Sequence, residues 1–126
     1  MAKQTTVPAI LQPLMGKPSL KLPHCAVCGR LRPLNQHHIV RRSAGRMFDG
    51  AGHELKAPTI TLCGFGNHLR DADGSPFCHG LAHAGRLHFR WVQEPGFAGA
   101  GHWEFLMLGD PASYMDALEM RGWRPC

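Results

Sequence analysis

One short stretch carries two histidines at a spacing that suits metal binding. Ser75 can cap the N-terminus of a helix and Gly85 can end it, so a helix is predicted between them. On that helix His79 and His83 fall one turn apart on the same face. Two imidazoles so placed can bind one cation together.

A second stretch supplies an adjacent pair, His37 and His38, within a strand-like run. Because strand side chains alternate, one of the two can join the helical histidines while the other points elsewhere. Three imidazoles, with the remaining positions open to water or substrate, are the ligand set of a catalytic metal ion. The alternative is that some of these residues are ordinary surface or core histidines.

The cysteines predict a separate, structural metal site. Cys25 and Cys28 form a Cys-x-x-Cys-Gly knuckle, which places two thiolates on one tight turn. Two more ligands are needed, and the candidates are Cys63, which ends a strand-like run, and Cys78, in the first turn of the histidine helix. The four together predict a structural Zn²⁺ site. A redox-active pair is the alternative, but no βαβ pattern surrounds the knuckle.

The charge of the chain favours a polyanionic partner. The formal net charge is +5 and the pI is about 9.3. Arg41, Arg42 and Arg46 follow the histidine pair and are predicted to bind phosphates, since guanidinium groups grip phosphate oxygens in a fork. Residues 1–23, with four prolines and three lysines, are predicted to form a flexible basic arm that contacts a DNA backbone or is simply solvated.

Residues 24–126 are predicted to form a single domain that positions these groups. Strands are expected over residues 59–63, 86–92 and 102–108, the last two as a hairpin, followed by a helix capped at Asp110. The sequence has no long apolar span and no signal-peptide pattern, so we expect a cytoplasmic protein with no membrane partner.

Over residues 25–89 the motifs resemble, in order and spacing, those of the HNH nuclease family, particularly small phage and prophage-type members with a zinc knuckle. The resemblance rests on Cys25-x-x-Cys28, the run His37-His38-Ile39-Val40-Arg41-Arg42-Ser43, Leu62-Cys63 and Cys78-His79-x-x-x-His83. It implies an α+β fold with a ββα-metal core, in which a β-hairpin and a following helix enclose one divalent ion. The zinc knuckle, a further hairpin and a C-terminal helix would surround that core.

The resemblance also implies the chemical roles. His37, His79 and His83 would hold the catalytic ion, whether Mg²⁺, Mn²⁺, Ni²⁺ or Zn²⁺, and His38 would act as the general base in hydrolysis of a DNA phosphodiester. The products would carry 5′-phosphate and 3′-hydroxyl ends, and the host would be a bacterial or phage-infected cell. The alternative is a zinc-stabilised DNA-binding or assembly module with little or no cleavage. Oligomeric state stays open, with a homodimer as one option.

The sequence departs from the family pattern in two places. The middle Asn of the family, which orients the base histidine, is replaced by Pro58, and Thr59, His53 or Asp49 are the candidates to take over its work. The second cysteine pair is also spread out, since fourteen residues separate Cys63 from Cys78. Loop-closure entropy grows slowly with length, so closure on one zinc ion is still expected.

Overall fold

The computed structural model describes residues 6–40, 45–65, 70–96 and 100–126. Within those residues the chain forms short strands and two short helices, mostly in antiparallel pairs. In chain order they are β1 (Leu34–His38), β2 (Met47–Phe48), β3 (Glu54–Leu55), β4 (Thr59–Cys63), α1 (Cys78–His83), β5 (Leu87–Gln93), β6 (Gly101–Met107), α2 (Tyr114–Leu118) and β7 (Arg124–Pro125).

The antiparallel pair of β1 and β4 lies at the centre of the fold. Its register sets His37 opposite Ile60 and His38 opposite Thr59. Ile60 and Leu62 are fully buried, as expected for apolar residues that alternate along a strand and share one face. The excursion between the two strands contains the small β2–β3 hairpin.

The N-terminal segment packs against this hairpin from Thr6 onward. Val7, Leu14 and Met15 are buried in the same core as β4. Leu20 runs parallel to Ile60: its amide donates to the carbonyl of Thr59, and its carbonyl accepts the amide of Thr61. The region predicted to be a flexible arm therefore contributes core residues, while residues 1–5 lie outside the described residues.

Helix α1 follows β4 and is shorter than the sequence predicted. Phe77, in extended conformation, occupies the N-cap position, and no side chain caps the helix there. The prediction of Ser75 as the cap is wrong, because its amide donates instead to the carboxylate of Asp71, in a turn that precedes the helix. At the other end, Gly85 has a φ of 76° and follows the C-cap residue Ala84, so the predicted end of the helix is confirmed.

The C-terminal third forms the sheet β5–β6–β7. Leu87, Phe89 and Trp103 bury one face of it in the main core. Strands β5 and β6 pair over their full lengths, which confirms the predicted hairpin with bounds shifted by one residue. Helix α2, in contrast, begins later than predicted.

The cap of α2 is Ser113, whose Oγ accepts from the amide of Asp116, and not Asp110. The reason is that the amide of Ala112 donates to the carbonyl of Gly85, which ties the residues before the helix to the end of α1. The architecture as a whole is α+β, with small antiparallel sheets and few helices. In the described parts of the chain, no helix has the length and apolar character needed to cross a membrane.

Candidate metal centres

Three histidines converge between β1 and α1. The ring nitrogens of His37, His79 and His83 that could bind an ion all lie within 4.8 Å of one another. The ring of His37 stands 5.3 Å from each helical ring, and the Nε2 atoms of His79 and His83 are 3.2 Å apart. A strand side chain and two side chains one helical turn apart therefore form one three-nitrogen cluster, the histidine triad.

The electrostatics of the triad keep His37 neutral. Burial, with further contributions from His79, His83 and His38, lowers the pKa of His37 to about 3. Its imidazole therefore retains a free lone pair at neutral pH, which is the form that binds a cation. His79 is buried and His83 is exposed, so the triad opens to solvent on the side of His83.

His38 is separate from the triad but lines the same cavity. Its side chain is half-buried, and among the described residues none forms a hydrogen bond with it. The structure thus brings His37, and not His38, beside the helical pair, and in the described residues no hydrogen bond orients the His38 ring. Its role as a base stays a prediction.

The three candidates for the missing Asn are engaged elsewhere. The Oγ1 of Thr59 accepts from Nε2 of Gln36 at 3.1 Å. Nδ1 of His53 lies 3.2 Å from a carboxylate oxygen of Asp49, so these two side chains bond to each other on the β2–β3 hairpin. At the position of the Asn itself, the carbonyl of Pro58 accepts the amide of Ile39.

Gln36 is the functional neighbour that sequence reasoning missed. Its side chain links Thr59 and Thr61 across the β1–β4 pair, accepting from the hydroxyl of Thr61. The signal was present in the alternation of the strands, since Gln36 lies directly opposite Thr61 and on the same face as His38. This polar bridge fixes the strand that carries both histidines.

Four cysteines form the second cluster. Their sulfur atoms lie within 4.8 Å of one another, and they come from the knuckle, the end of β4 and the start of α1: Cys25, Cys28, Cys63 and Cys78. The sulfurs of Cys28 and Cys63 are 3.6 Å apart, and the Cys63 sulfur also accepts the amide of Cys78 at 3.3 Å. Four thiols at this separation suit a tetrahedral metal ion such as zinc.

The thiols of this cluster perturb one another strongly. A hydrogen bond from Cys78 lowers the pKa of Cys25 to about 4, whereas burial raises the pKa of Cys63 to about 11. The hydrogen bond to Cys25, burial and the neighbouring thiolates raise the pKa of Cys78 as well. The Cys25 thiolate forms easily, whereas the Cys63 and Cys78 thiols resist deprotonation, so a divalent cation is the natural way to stabilise four negative sulfurs in one place.

An ion pair connects the knuckle to the loop before α1. Arg30 donates to the carboxylate of Asp71 at 2.6 Å, and its guanidinium lies over the ring of Phe77, 5.1 Å from the centroid. Asp71 in turn accepts the amides of Asp73 and Ser75. These contacts hold the excursion between β4 and α1 so that Cys63 and Cys78 meet.

Of the three arginines predicted to bind phosphate, only Arg46 lies within the described residues. Arg41 and Arg42 lie outside the described residues. Arg46 is exposed and donates two hydrogen bonds to the carboxylate of Glu54, at 2.8 and 2.9 Å. Phosphate binding by any of the three stays a prediction.

A cavity of about 640 Å³ opens beside the histidine triad. If histidine is counted as neutral, none of the described residues that line the cavity carries a formal charge at neutral pH. Most of them are apolar. They come from the N-terminal segment, β1, α1, β5 and the start of α2: Leu11, Leu14, His37, His38, Ile39, Val40, His79, Ala82, His83, Gly85, Leu87, His88, Phe89, Ala112 and Tyr114.

Comparison of the chain with known proteins gives no family: no protein-family model, no curated protein and no solved structure matches it.

Proposed function

We propose that the protein is a metal-dependent DNA endonuclease of the HNH type. The observation that carries the proposal is the histidine triad of His37, His79 and His83 on the wall of a cavity that also contains His38. A strand pair followed by a helix supplies these residues in the order that the motif resemblance implies. Three converging ring nitrogens with an open side suit a catalytic ion.

The residues of the chain divide the work of hydrolysis. His37, His79 and His83 would hold the ion, and a bound divalent ion would stabilise the negative charge that develops on the phosphate. His38 accepts the proton of the attacking water. Imidazole suits this role at neutral pH, because its neutral form is abundant there and still basic enough to take the proton.

The cysteine cluster has a structural part in this proposal. A zinc ion held by Cys25, Cys28, Cys63 and Cys78 would fasten the knuckle to β4 and to the first turn of α1. His79 directly follows Cys78, so the same attachment fixes the position of a triad ligand. Zinc at this site would thus organise the catalytic site without taking part in the chemistry.

A second candidate is a zinc-stabilised DNA-binding or assembly module with little cleavage. One observation favours it: in the described part of the chain, the His38 side chain has no hydrogen-bond partner that would orient it. A general base without an orienting partner loses much of its efficiency. The two candidate functions predict different DNA cleavage activity but the same zinc binding.

Plasmid cleavage with purified protein distinguishes the two candidates. Supercoiled DNA should be nicked or linearised with at least one of Mg²⁺, Mn²⁺, Ni²⁺ and Zn²⁺, and His83→Ala should abolish the activity at low ion concentration. His53→Ala is the matched control, because His53 is exposed and pairs with Asp49 on the β2–β3 hairpin. No cleavage with any ion, in a protein that still binds DNA, would favour the binding module.

DNA as the partner is tested separately by salt dependence. The proposal predicts that duplex affinity falls steeply with salt, because Lys and Arg side chains that bind phosphates release counterions. Each arginine that binds a phosphate adds about one to the slope of log K against log salt, so Arg41→Ala or Arg42→Ala should reduce that slope by about one. An affinity that does not change with salt would remove DNA from the proposal.

A further inference from the structure

The cavity beside the triad is larger and less polar than a phosphate requires. His37 and His83 line it at the triad, and Leu11, Leu14 and Tyr114 are also among its lining residues. A phosphodiester is charged and stays hydrated or paired with cations, so it would bind at the triad and not among these walls. The rest of the space suits an uncharged, flat group.

Two aromatic rings border that part of the cavity. His88 and Tyr114 have ring centroids 6.4 Å apart at an interplanar angle of 34°. The Nε2 atom of His88 donates to the carbonyl of Gly85 at 2.8 Å, so its Nδ1 atom is a hydrogen-bond acceptor in the neutral ring.

The hydroxyl of Tyr114 bonds to no residue in the described ranges, although the side chain is half-buried. The lining therefore includes apolar side chains, the rings of His88 and Tyr114 and the Tyr114 hydroxyl, besides the triad and His38. Such a lining, with few polar groups in a mostly apolar concavity, is typical of a small-ligand site.

We propose that this cavity binds the base of an unpaired nucleotide next to the scissile phosphate, with Tyr114 as the stacking residue. The inference rests on the proposed nuclease function and names its substrate class: DNA that is single-stranded or locally unpaired. A base in an intact duplex is stacked and paired, so it cannot enter a cavity with these walls unless it leaves the helix. Aromatic stacking gives unpaired strands affinity without sequence preference.

The test compares cleavage of a paired duplex with cleavage of the same duplex carrying a short central bubble. The full-length, zinc-loaded protein should cleave the bubble with a kcat/KM at least about tenfold higher. Tyr114→Ala should lower kcat/KM for the bubble by about 5- to 150-fold, the range of one stacked base, mainly through KM. Tyr114→Phe keeps the ring and should stay within about threefold of the parent.

Two further variants guard against a folding artefact. Met115→Ala is the matched control on the same helix, since Met115 is 66% exposed and does not line the cavity. Leu11 also lines the cavity, so Leu11→Trp reduces the space inside it and should remove the preference for the bubble even if Tyr114→Ala proves unstable. Melting temperatures are measured for each.

The outcomes separate the base subsite from the nuclease proposal. Equal cleavage of bubble and duplex, with Tyr114→Ala matching Met115→Ala, would overturn the subsite and leave the nuclease standing. If no DNA is cleaved, the nuclease proposal fails, and binding of a single-stranded oligonucleotide by fluorescence anisotropy decides the subsite. Weaker binding by Tyr114→Ala than by Met115→Ala would then support it, and equal binding would overturn it.

Discussion

Replacing Gly64 tests how tightly β4, α1 and the triad are packed together. Gly64 follows Cys63 and has a φ of +126°, which side-chain-bearing residues rarely adopt. A Cβ there would lie 2.9 Å from the Cβ of Phe77 and 3.0 Å from that of His79. Both are atoms close to the backbone, so the clash cannot be relieved by rotating a flexible side-chain end.

The expected cost of Gly64→Ala has two parts. The unfavourable φ costs about 1–3 kcal/mol, and overpacking of a dense interior costs about 1–3 kcal/mol. Together they destabilise the protein by about 2–6 kcal/mol, a fall in melting temperature of roughly 10–25 °C for a domain of this size. Relief of the clash moves Phe77 and His79 by about half an ångström, which exceeds the tolerance of about 0.2 Å for metal ligands.

Gly74→Ala is the control for the backbone part alone. Gly74 also has a positive φ, +84°, but an added Cβ would meet no heavy atom within 4 Å. Urea denaturation of both variants should show Gly64→Ala less stable by about 1–3 kcal/mol, the packing part. Calorimetry should show weaker binding of a divalent ion at the triad in Gly64→Ala alone. Equal stabilities and equal ion affinities would refute the close approach of Gly64 to α1.

Two further predictions concern the cysteine cluster and the loop before α1. Purified protein should contain about one zinc ion. Cys25→Ser should lose this ion and unfold near room temperature. The reason is that structural zinc contributes about 10–16 kcal/mol to folding, which is comparable to the whole stability of a domain. Cys126→Ser is the control, because Cys126 is exposed and outside the cluster. If Cys25→Ser kept the zinc content and melting temperature of the parent, zinc binding by the four cysteines would be contradicted. The hydrogen bond from Arg30 lowers the pKa of Asp71 in the folded protein below its value in the unfolded chain, which is near 3.8. The pair therefore stabilises the fold fully above the unfolded-state pKa. That stabilisation is lost as the pH falls through the folded-state pKa. Stability should therefore fall less steeply in Arg30→Ala than in the parent as pH decreases from about 5 toward 3, and identical pH profiles would show that the pair is not formed in solution.

The sequence predicted the clusters because their geometry follows from local periodicity. Residues one helical turn apart must share a face, and adjacent strand residues must point to opposite faces, so His79 and His83 could be paired without knowing the fold. The strand positions followed from runs such as Thr59–Cys63, whose β-branched residues suit a buried strand. Whether His37 or His38 lies beside the helical histidines depends on strand register, which the local pattern does not give. The expectation that it is His37 came from the family resemblance.

Other features depended on contacts between distant residues. The predicted cap at Ser75 competed with the turn at Asp71, which Arg30 stabilises from a separate segment. Helix α2 begins late because the chain before it bonds to Gly85. Val7, Leu11, Leu14 and Met15 fall at helical spacing, but Pro8 and Pro13 lie among them and favoured an irregular arm, so only the packed structure reveals that Val7 and Leu14 are buried.

The most direct test of the central claim measures ion binding and cleavage together in four variants. Calorimetry with Mn²⁺, with the zinc site kept loaded, gives ion affinity beside the cleavage rate. His37→Ala, His79→Ala and His83→Ala should bind the ion more weakly and recover some activity at high ion concentration. His38→Ala should keep the ion and lose roughly two to four orders of magnitude in rate. Loss of the ion in His38→Ala with retention in His37→Ala, or parental cleavage by all four, would contradict the account.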